Sequence, residues 1–248
     1  LAVTLAAMRE TCFQHNARVG AWIEDDLTRD PDTRLDYSIE AIAQKEAAAF
    51  IRRFEYLGTV GRCLARYGAR NAQGELAAVA IFGAAAPMPP HTITLERGAC
   101  APWAHPHTAS WFIPKAVRRA AQDHGWTTFF AYADPEAGEI GTIYQACGWL
   151  YLGQSETRRI GGKPRPREYF RQGDGPWITE RAFRKRGHVL ADMDLLGWER
   201  GYRQPKHKYV WVEGTWTQDT PGRLRGPRPS EVKRLRAAFK PLPYPPAD

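Results

Sequence analysis

The stretch Phe129 to Gly153, FFAYADPEAGEIGTIYQACGWLYLG, decides how this chain is read. It begins as an apolar, aromatic strand, opens a turn at Asp134 and Pro135, passes through a short helix holding Tyr144, and ends in a second aromatic strand closed by Gly153. Strand, helix and strand of these lengths predict a βαβ-like unit, and such units take ligands where strand ends splay and a helix begins. Asp134 and Tyr144 then face one crevice. Each has a plainer alternative, Asp134 as a turn residue before proline and Tyr144 as an amphipathic core aromatic, and it is their pairing that points to a site.

Upstream, Ser38 to Gly58 (SIEAIAQKEAAAFIRRFEYLG) is Ala-rich, with apolar residues at roughly helical spacing, and predicts one helix. Arg62 to Ala69 and Glu75 to Ala86 predict two strands of a hairpin, and His91 to Arg97 a third strand. Ser110 is placed to cap a helix that ends at Gly125, with Pro114 tolerated in its first turn. Downstream, Lys208 to Val212 suits a strand, Trp177 to Arg186 and Ser230 to Phe239 suit short helices, and the Pro-rich tail is extended. This order gives an α/β fold with a mixed central sheet flanked by helices.

Length, with 43% hydrophobic and 25% charged residues, predicts a folded, soluble chain with one core and extensions. No apolar run approaches the ~20 residues of a membrane span. The first ten residues lack a basic leader, so a cytoplasmic location is expected. Four cysteines lie far apart with no C-x-x-C pair, against both a zinc cage and a disulfide framework. Charge is segregated: residues 1 to 150 carry 14 Lys plus Arg against 16 Asp plus Glu, and residues 151 to 248 carry 21 against 11. A basic region of this kind fits a polyanion, double-stranded DNA above all, because each phosphate neutralised releases counterions. Its phosphate-contact candidates are Lys163, Arg165, Arg167, Arg184, Lys185, Arg186, Lys206, His207 and Lys208.

Through Tyr144-Gln145-Ala146-Cys147-Gly148-Trp149 the chain resembles the Gcn5-related N-acetyltransferase (GNAT) superfamily, whose last unit has a helix ending in Tyr, then Gly and an aromatic. It more closely resembles a branch of that superfamily, the Mom-type phage DNA-modification proteins. The carriers are Arg97-Gly98, Ser110-Trp111-Phe112-Ile113, Tyr132-Ala133-Asp134-Pro135 and Gly141-Thr142-Ile143-Tyr144-Gln145-Ala146, over about Phe50 to the Pro-rich end. The resemblance implies a GNAT-like core over 38–155, an N-terminal extension over 1–37, and a basic C-terminal region over 156–248 that packs on the core and contacts DNA. It implies catalytic roles for Arg97, Ser110, Asp134 and Tyr144. The implied activity is transfer of a carbamoylmethyl-like or other small acyl group to adenine N6, which protects bacteriophage DNA from restriction in the host cytoplasm. The alternative is an acetyl-CoA-dependent N-acetyltransferase acting on a protein or small amine.

Two positions depart from the family pattern. Glu55-Tyr56 stands where a His-Tyr pair is expected, so Glu55 takes a candidate catalytic position; a carboxylate replaces imidazole as base or ligand but does not donate when ionised. The loop Arg97-Gly98-Ala99-Cys100-Ala101-Pro102 stands where acetyltransferases carry a Gly-rich pyrophosphate turn. The donor is therefore open between acetyl-CoA and an activated glycine. His105-Pro106-His107, with Cys100 and Asp134, would be the residues of a ferrous site, but two His in a loop fall short of the three or four convergent ligands a metal needs, and no metal ligand is assigned. Enzymes that modify a duplex base extrude it onto aromatic faces, for which Trp103, Trp111 and Tyr132 are the candidates, Trp103 first because it lies in a loop.

Overall fold

The computed structural model describes residues 29–55, 57–84, 88–155, 158–160, 163–165, 167–175, 178–192 and 196–245. Most of the N-terminal extension, together with Tyr56 and Trp177, lies outside them. The first half of the chain forms β1 (Ser38–Ala41), α1 (Gln44–Phe54), β2 (Ala65–Arg70), β3 (Leu76–Gly83), β4 (Thr92–Cys100), α2 (Thr108–His124) and β5 (Thr128–Ala133). Next come α3 (Thr142–Ala146), β6 (Leu150–Gln154), β7 (Arg158–Ile160), β8 (Lys163–Arg165), β9 (Arg167–Gln172), β10 (Ile178–Thr179) and α4 (Glu180–Lys185). The last elements are β11 (Trp198–Arg203), β12 (His207–Val212), β13 (Thr217–Thr220), β14 (Arg223–Arg225) and α5 (Pro229–Ala237).

Seven strands make the central sheet in the order β1-β2-β3-β4-β5-β12-β6. Among its described pairings β4 and β5 run parallel, over Thr92–Leu95 against Thr128–Ala131, and the others run antiparallel. The fold is the mixed α/β arrangement expected, a central sheet flanked by helices. Helix α1 buries Ala47, Phe50, Ile51 and Phe54, the i, i+3, i+4, i+7 stripe of a helix lying on a sheet. Ser38 to Ala41, expected as the start of this helix, is instead strand β1 against Arg70–Tyr67. Pairing with the edge of β2 gives these four residues backbone partners, which outweighs the helical i, i+3 spacing of Ile39 and Ile42.

Helix α2 also differs from expectation. It starts at Thr108 with His107 as its N-cap, so Ser110 is not the cap and Pro114 sits in the second turn. An interior proline leaves the carbonyl four residues earlier without its amide donor. That carbonyl belongs to Ser110, and the Cys147 thiol donates to it at 3.6 Å, tying α2 to the end of α3. At the other end Gly125 closes the helix in the left-handed conformation, φ 68°.

The βαβ-like unit has a strand inserted in it. β12 lies between β5 and β6, antiparallel to both, so Phe129 to Gly153 folds as two parallel strands one place apart. The core sheet thus draws a strand from the region read as a separate C-terminal part, and a boundary at 155 does not follow the sheet. What separates is an excursion between Ser155 and Lys206, pinned at its stem where Ser155 N donates to the Lys206 carbonyl (2.6 Å) and Lys206 N to Ser155 Oγ (3.0 Å). The excursion carries its own sheet, β10-β9-β11, and a small core of Phe170, Phe183 and Trp198 beneath α4.

The C-terminal tail covers the far edge of the sheet. Leu242 N donates to the Tyr151 carbonyl (2.9 Å) and Tyr244 Oη to the Trp149 carbonyl (2.6 Å), so the β6 edge is not left open to another chain. Gly141 has φ 80°, and a Cβ there would collide with the Tyr209 ring, so only glycine lets α3 settle on β12. No helix among the described residues is long and apolar enough to cross a membrane.

Candidate active site

β4 and β5 stay paired only as far as Leu95 and Ala131, after which β4 follows β3 alone to Cys100. The mouth that opens between them is where the charged residues gather. Asp134 is the first residue beyond β5 and is 5% exposed. Its Oδ2 is 2.8 Å from Lys206 Nζ at the stem of the excursion. The backbone N–H of Asp134 donates to Glu139 Oε2 at 3.4 Å, closing the Asp-Pro turn on itself. Burial raises the Glu139 pKa above the ordinary carboxylate range, and the neighbouring charges of Glu55 and Asp134 push the same way against Lys206.

Glu55, 4% exposed, comes from the opposite side, at the C-terminus of α1. Its Oε2 accepts the N–H groups of Leu57 and Gly58, each at 2.9 Å, and its Oε1 lies 4.0 Å from Arg97 Nε. Arg97 donates from Nε to the Thr59 carbonyl at 2.7 Å, holding the chain after α1 against β4. A carboxylate accepts from two amides at once, which an imidazole ring does not. The Glu55 that replaces the expected histidine is thus suited to closing this turn. Arg97, Glu55 and Asp134 are brought to one mouth with Glu139 and Lys206.

Tyr144 on α3 and Ser110 on α2 sit on neighbouring helices joined by the Cys147–Ser110 contact. The Tyr144 ring packs 5.3 Å from both Trp149 and Tyr209, and Gln145 Nε2 donates to Tyr209 Oη at 3.2 Å, while that hydroxyl donates to the Ile140 carbonyl. Ser110 Oγ donates back to the His107 carbonyl at 3.1 Å. Trp149 is fully buried, and its indole Nε1 has no partner among the described residues. Such an orphan donor costs about 1–3 kcal/mol, which transfer of the ring out of water offsets.

The three aromatic candidates differ in what they offer. Trp103 is 7% exposed with the Arg29 guanidinium 4.1 Å above its ring, so its loop position does not make it a free platform. Trp111 is half-buried between the Tyr37 edge (5.9 Å) and Lys115 (4.8 Å). Tyr132, two residues before Asp134, is 37% exposed.

The phosphate-contact candidates also divide. His207 is 9% exposed, lies 2.9 Å from Tyr151 Oη, and has its pKa lowered by burial, so it is an interior residue and not a surface cation. Lys206 is committed to Asp134, Lys208 lies 4.5 Å over the Phe130 ring, and Arg184 pairs with Glu180 at 2.9 Å. Lys185 and Arg186 are exposed at the end of α4. The side chains of Lys163, Arg165 and Arg167 lie outside the described residues.

Two residues of the mouth had no role in the sequence reading, Glu139 altogether and Lys206 as anything but a phosphate contact. An acid in a turn and a lysine in a basic run look like solvated charges. The antiparallel return of β12, which sets His207 opposite Ala133, is what delivers Lys206 to Asp134.

The residues leading into α2 are a poor match to a Gly-rich pyrophosphate turn. Pro102 and Pro106 have no N–H, and five others are committed: Ala101 N to the Ala77 carbonyl, Ala104 N to the Ala101 carbonyl, His105 N to Tyr37 Oη, His107 N to His105 Nδ1, and Thr108 N to the His105 carbonyl. Trp103 N–H and the first-turn amides of α2 are left, fewer loop donors than the cradle of a diphosphate uses. Among the described residues no group of three or more His, Cys, Asp or Glu is arranged to hold a metal. Burial pushes the Cys100 thiol up to about 12.

No curated protein matches the chain. Solved structures similar to it include the ribosomal-protein-S5-alanine acetyltransferase from Vibrio fischeri, at 6% identity over 73% of this chain and 95% of that one, TM-score 0.43. The spermidine N-acetyltransferase from Vibrio cholerae superposes at 11% identity over 72% and 95%, TM-score 0.42. A Bacillus subtilis acetyltransferase in complex with CoA does so at 13% identity over 71% and 99%, TM-score 0.40. These superpositions are too loose to speak for activity. A model of the Mom protein family matches residues 36–212, from just before β1 to the last residue of β12, and the chain belongs to that family.

Proposed function

We propose that the protein is a DNA-modifying transferase that places a carbamoylmethyl-like or other small acyl group on the N6 amine of adenine, shielding DNA from restriction enzymes. The observation that carries this reading is the convergence of Asp134, Glu139, Glu55, Arg97 and Lys206 at the splayed end of β4 and β5, beside the exposed ring of Tyr132. The adenine N6 lone pair is drawn into the ring, so attack on a donor requires a base to take the N6 proton as the new N–C bond forms. Asp134, held by Lys206, is that base, and Glu139 is a second acceptor beside it. As the bond between the donor carbon and its leaving group breaks, the Tyr144 hydroxyl returns a proton to the departing atom. Tyr132, 37% exposed, offers an aromatic ring to a base drawn out of the duplex.

The committed donors of the loop before α2 count against an acetyl-CoA enzyme of the usual kind. Calorimetry with coenzyme A is expected to show no saturable binding. The functional test is resistance: DNA from bacteria expressing the protein should withstand restriction enzymes with adenine in their sites, and lose that protection with Asp134→Ala or Tyr144→Phe. Full cleavage of DNA from cells making folded wild type would refute the assignment.

A further inference from the structure

The family match ends at Val212, and the chain beyond it, the last part of the basic region expected to contact DNA, builds a unit of its own. β13 and β14 form a two-stranded ribbon on which every residue is exposed, turning at Gly222 with φ 84°. Thr217 pairs with Arg225 and Thr220 with Arg223, so one face carries two guanidinium forks and two hydroxyls. The ribbon is set on a firm base. A Cβ on Gly214 would come within 2.5 Å of Pro227, Gly226 lies against the Trp216 ring, and Thr215 Oγ1 donates to Glu231 Oε1 at 2.6 Å at the start of α5. Along α5, Lys233, Arg234 and Arg236 are exposed.

These cations differ from several basic residues of the excursion. In the excursion, Arg171 pairs with Glu199, Arg184 with Glu180 and Arg200 with Glu168. Arg223, Arg225, Arg228, Lys233, Arg234 and Arg236 have no ion pair among the described residues. Of the acids in the arm, Glu213 is buried against the Trp211 indole N–H (2.7 Å), Glu231 accepts from Thr215, and Asp219 is a lone exposed carboxylate on β13 among six cations. An exposed array of unpaired guanidinium and ammonium groups on a fixed ribbon and helix is complementary to a phosphate backbone, and a two-stranded ribbon is narrow enough to enter a duplex groove.

We propose that residues 213–239 are a docking arm that grips the phosphate backbone of duplex DNA through the Arg223/Arg225 face of the ribbon and the Lys233/Arg236 face of α5. This rests on the reading that DNA is the substrate, and it moves the principal grip from the excursion to the arm. Phe239, just after α5, meets the Phe130 ring of β5 edge-on at 6.1 Å, on the strand that leads to Asp134, so the arm has a fixed place relative to the mouth.

The test uses the full chain and a duplex of about 30 base pairs, with binding measured by fluorescence anisotropy at several salt concentrations. Arg223→Gln/Arg225→Gln and Lys233→Gln/Arg236→Gln should each weaken binding about 10- to 100-fold near 0.1 M salt and flatten the plot of log affinity against log salt by roughly 1.8, the slope of two lost phosphate contacts. Both variants should melt with wild type. Unchanged affinity and slope in both would overturn the proposal, as would wild type that binds no duplex, or polyglutamate competing as well as DNA at equal charge. Duplex binding that depends on the arm, in a protein that leaves adenine unmodified in cells, would support the arm and refute the modification reading alone.

Discussion

The mouth between β4 and β5 and the excursion from Ser155 to Lys206 are both rich in charged pairs, yet the pairs differ in kind. At the mouth the Asp134 side chain is 7% exposed and that of Glu55 5%, whereas in the excursion the Arg171 and Glu199 side chains are 35% and 54% exposed. Water screens the second pair and supplies its alternative partners, so exposed bridges contribute about 0–1 kcal/mol. A buried carboxylate has lost its water, and removing its partner leaves a cost that nothing repays. The mouth is therefore a place where charge is held in position at the expense of stability, and the excursion one where charge is merely balanced.

The largest effect expected from this contrast is on activity. Asp134→Ala should lower adenine modification by roughly 10²-fold or more, the scale of a lost general base, while Glu199→Ala leaves it within about twofold, measured as modified deoxyadenosine per cell. Equal losses would erase the distinction. Next is stability. Lys206→Met, which strands the Asp134 carboxylate, should cost about 1–3 kcal/mol in denaturant melts, less than a fully buried pair because the lysine is a third exposed, and Lys206→Arg should restore part of it.

pH sharpens the comparison further. His207, its pKa lowered by burial, is bound to fewer protons when folded than unfolded, so stability should fall as pH drops below about 6.5, by at most about 1.4 kcal/mol per pH unit for one proton. Glu139 has the opposite sign. Its raised pKa means that the folded protein holds the proton longer, so stability falls as pH rises out of the ordinary carboxylate range. Glu139→Gln should then raise the melting temperature relative to wild type at pH 7 and not at pH 4. The smallest effect belongs to the excursion, where a double-mutant cycle on Arg171 and Glu199 should return a coupling of about 0–1 kcal/mol that vanishes in high salt.

What the sequence disclosed, and what it hid, follows the same division. Local signals were legible: the α1 stripe of Ala47, Phe50, Ile51 and Phe54, the Gly125 stop, the Asp134-Pro135 turn and the strand around Tyr209 are written in neighbouring residues. Long-range choices were not. Nothing near Ser38 says that β2 will take it as a strand, and nothing near His207 says that β12 will part β5 from β6. The site was half legible for that reason. Arg97, Asp134, Ser110 and Tyr144 sit in motifs; Glu139 is placed by a local turn that no motif marks, and Lys206 acquires its place only when a strand some 70 residues downstream of Asp134 returns beside it. Trp103 shows the converse, a loop residue that tertiary packing draws under Arg29.

The most direct test of the central claim, that the charged mouth modifies adenine, is mass spectrometry of nucleosides from total DNA of bacteria expressing the wild type or Asp134→Ala. The account predicts a heavier deoxyadenosine in wild type whose mass excess identifies the transferred group, and its loss in the variant. An unshifted deoxyadenosine in cells making folded, DNA-binding wild type, or a shifted one that survives Asp134→Ala, would contradict it.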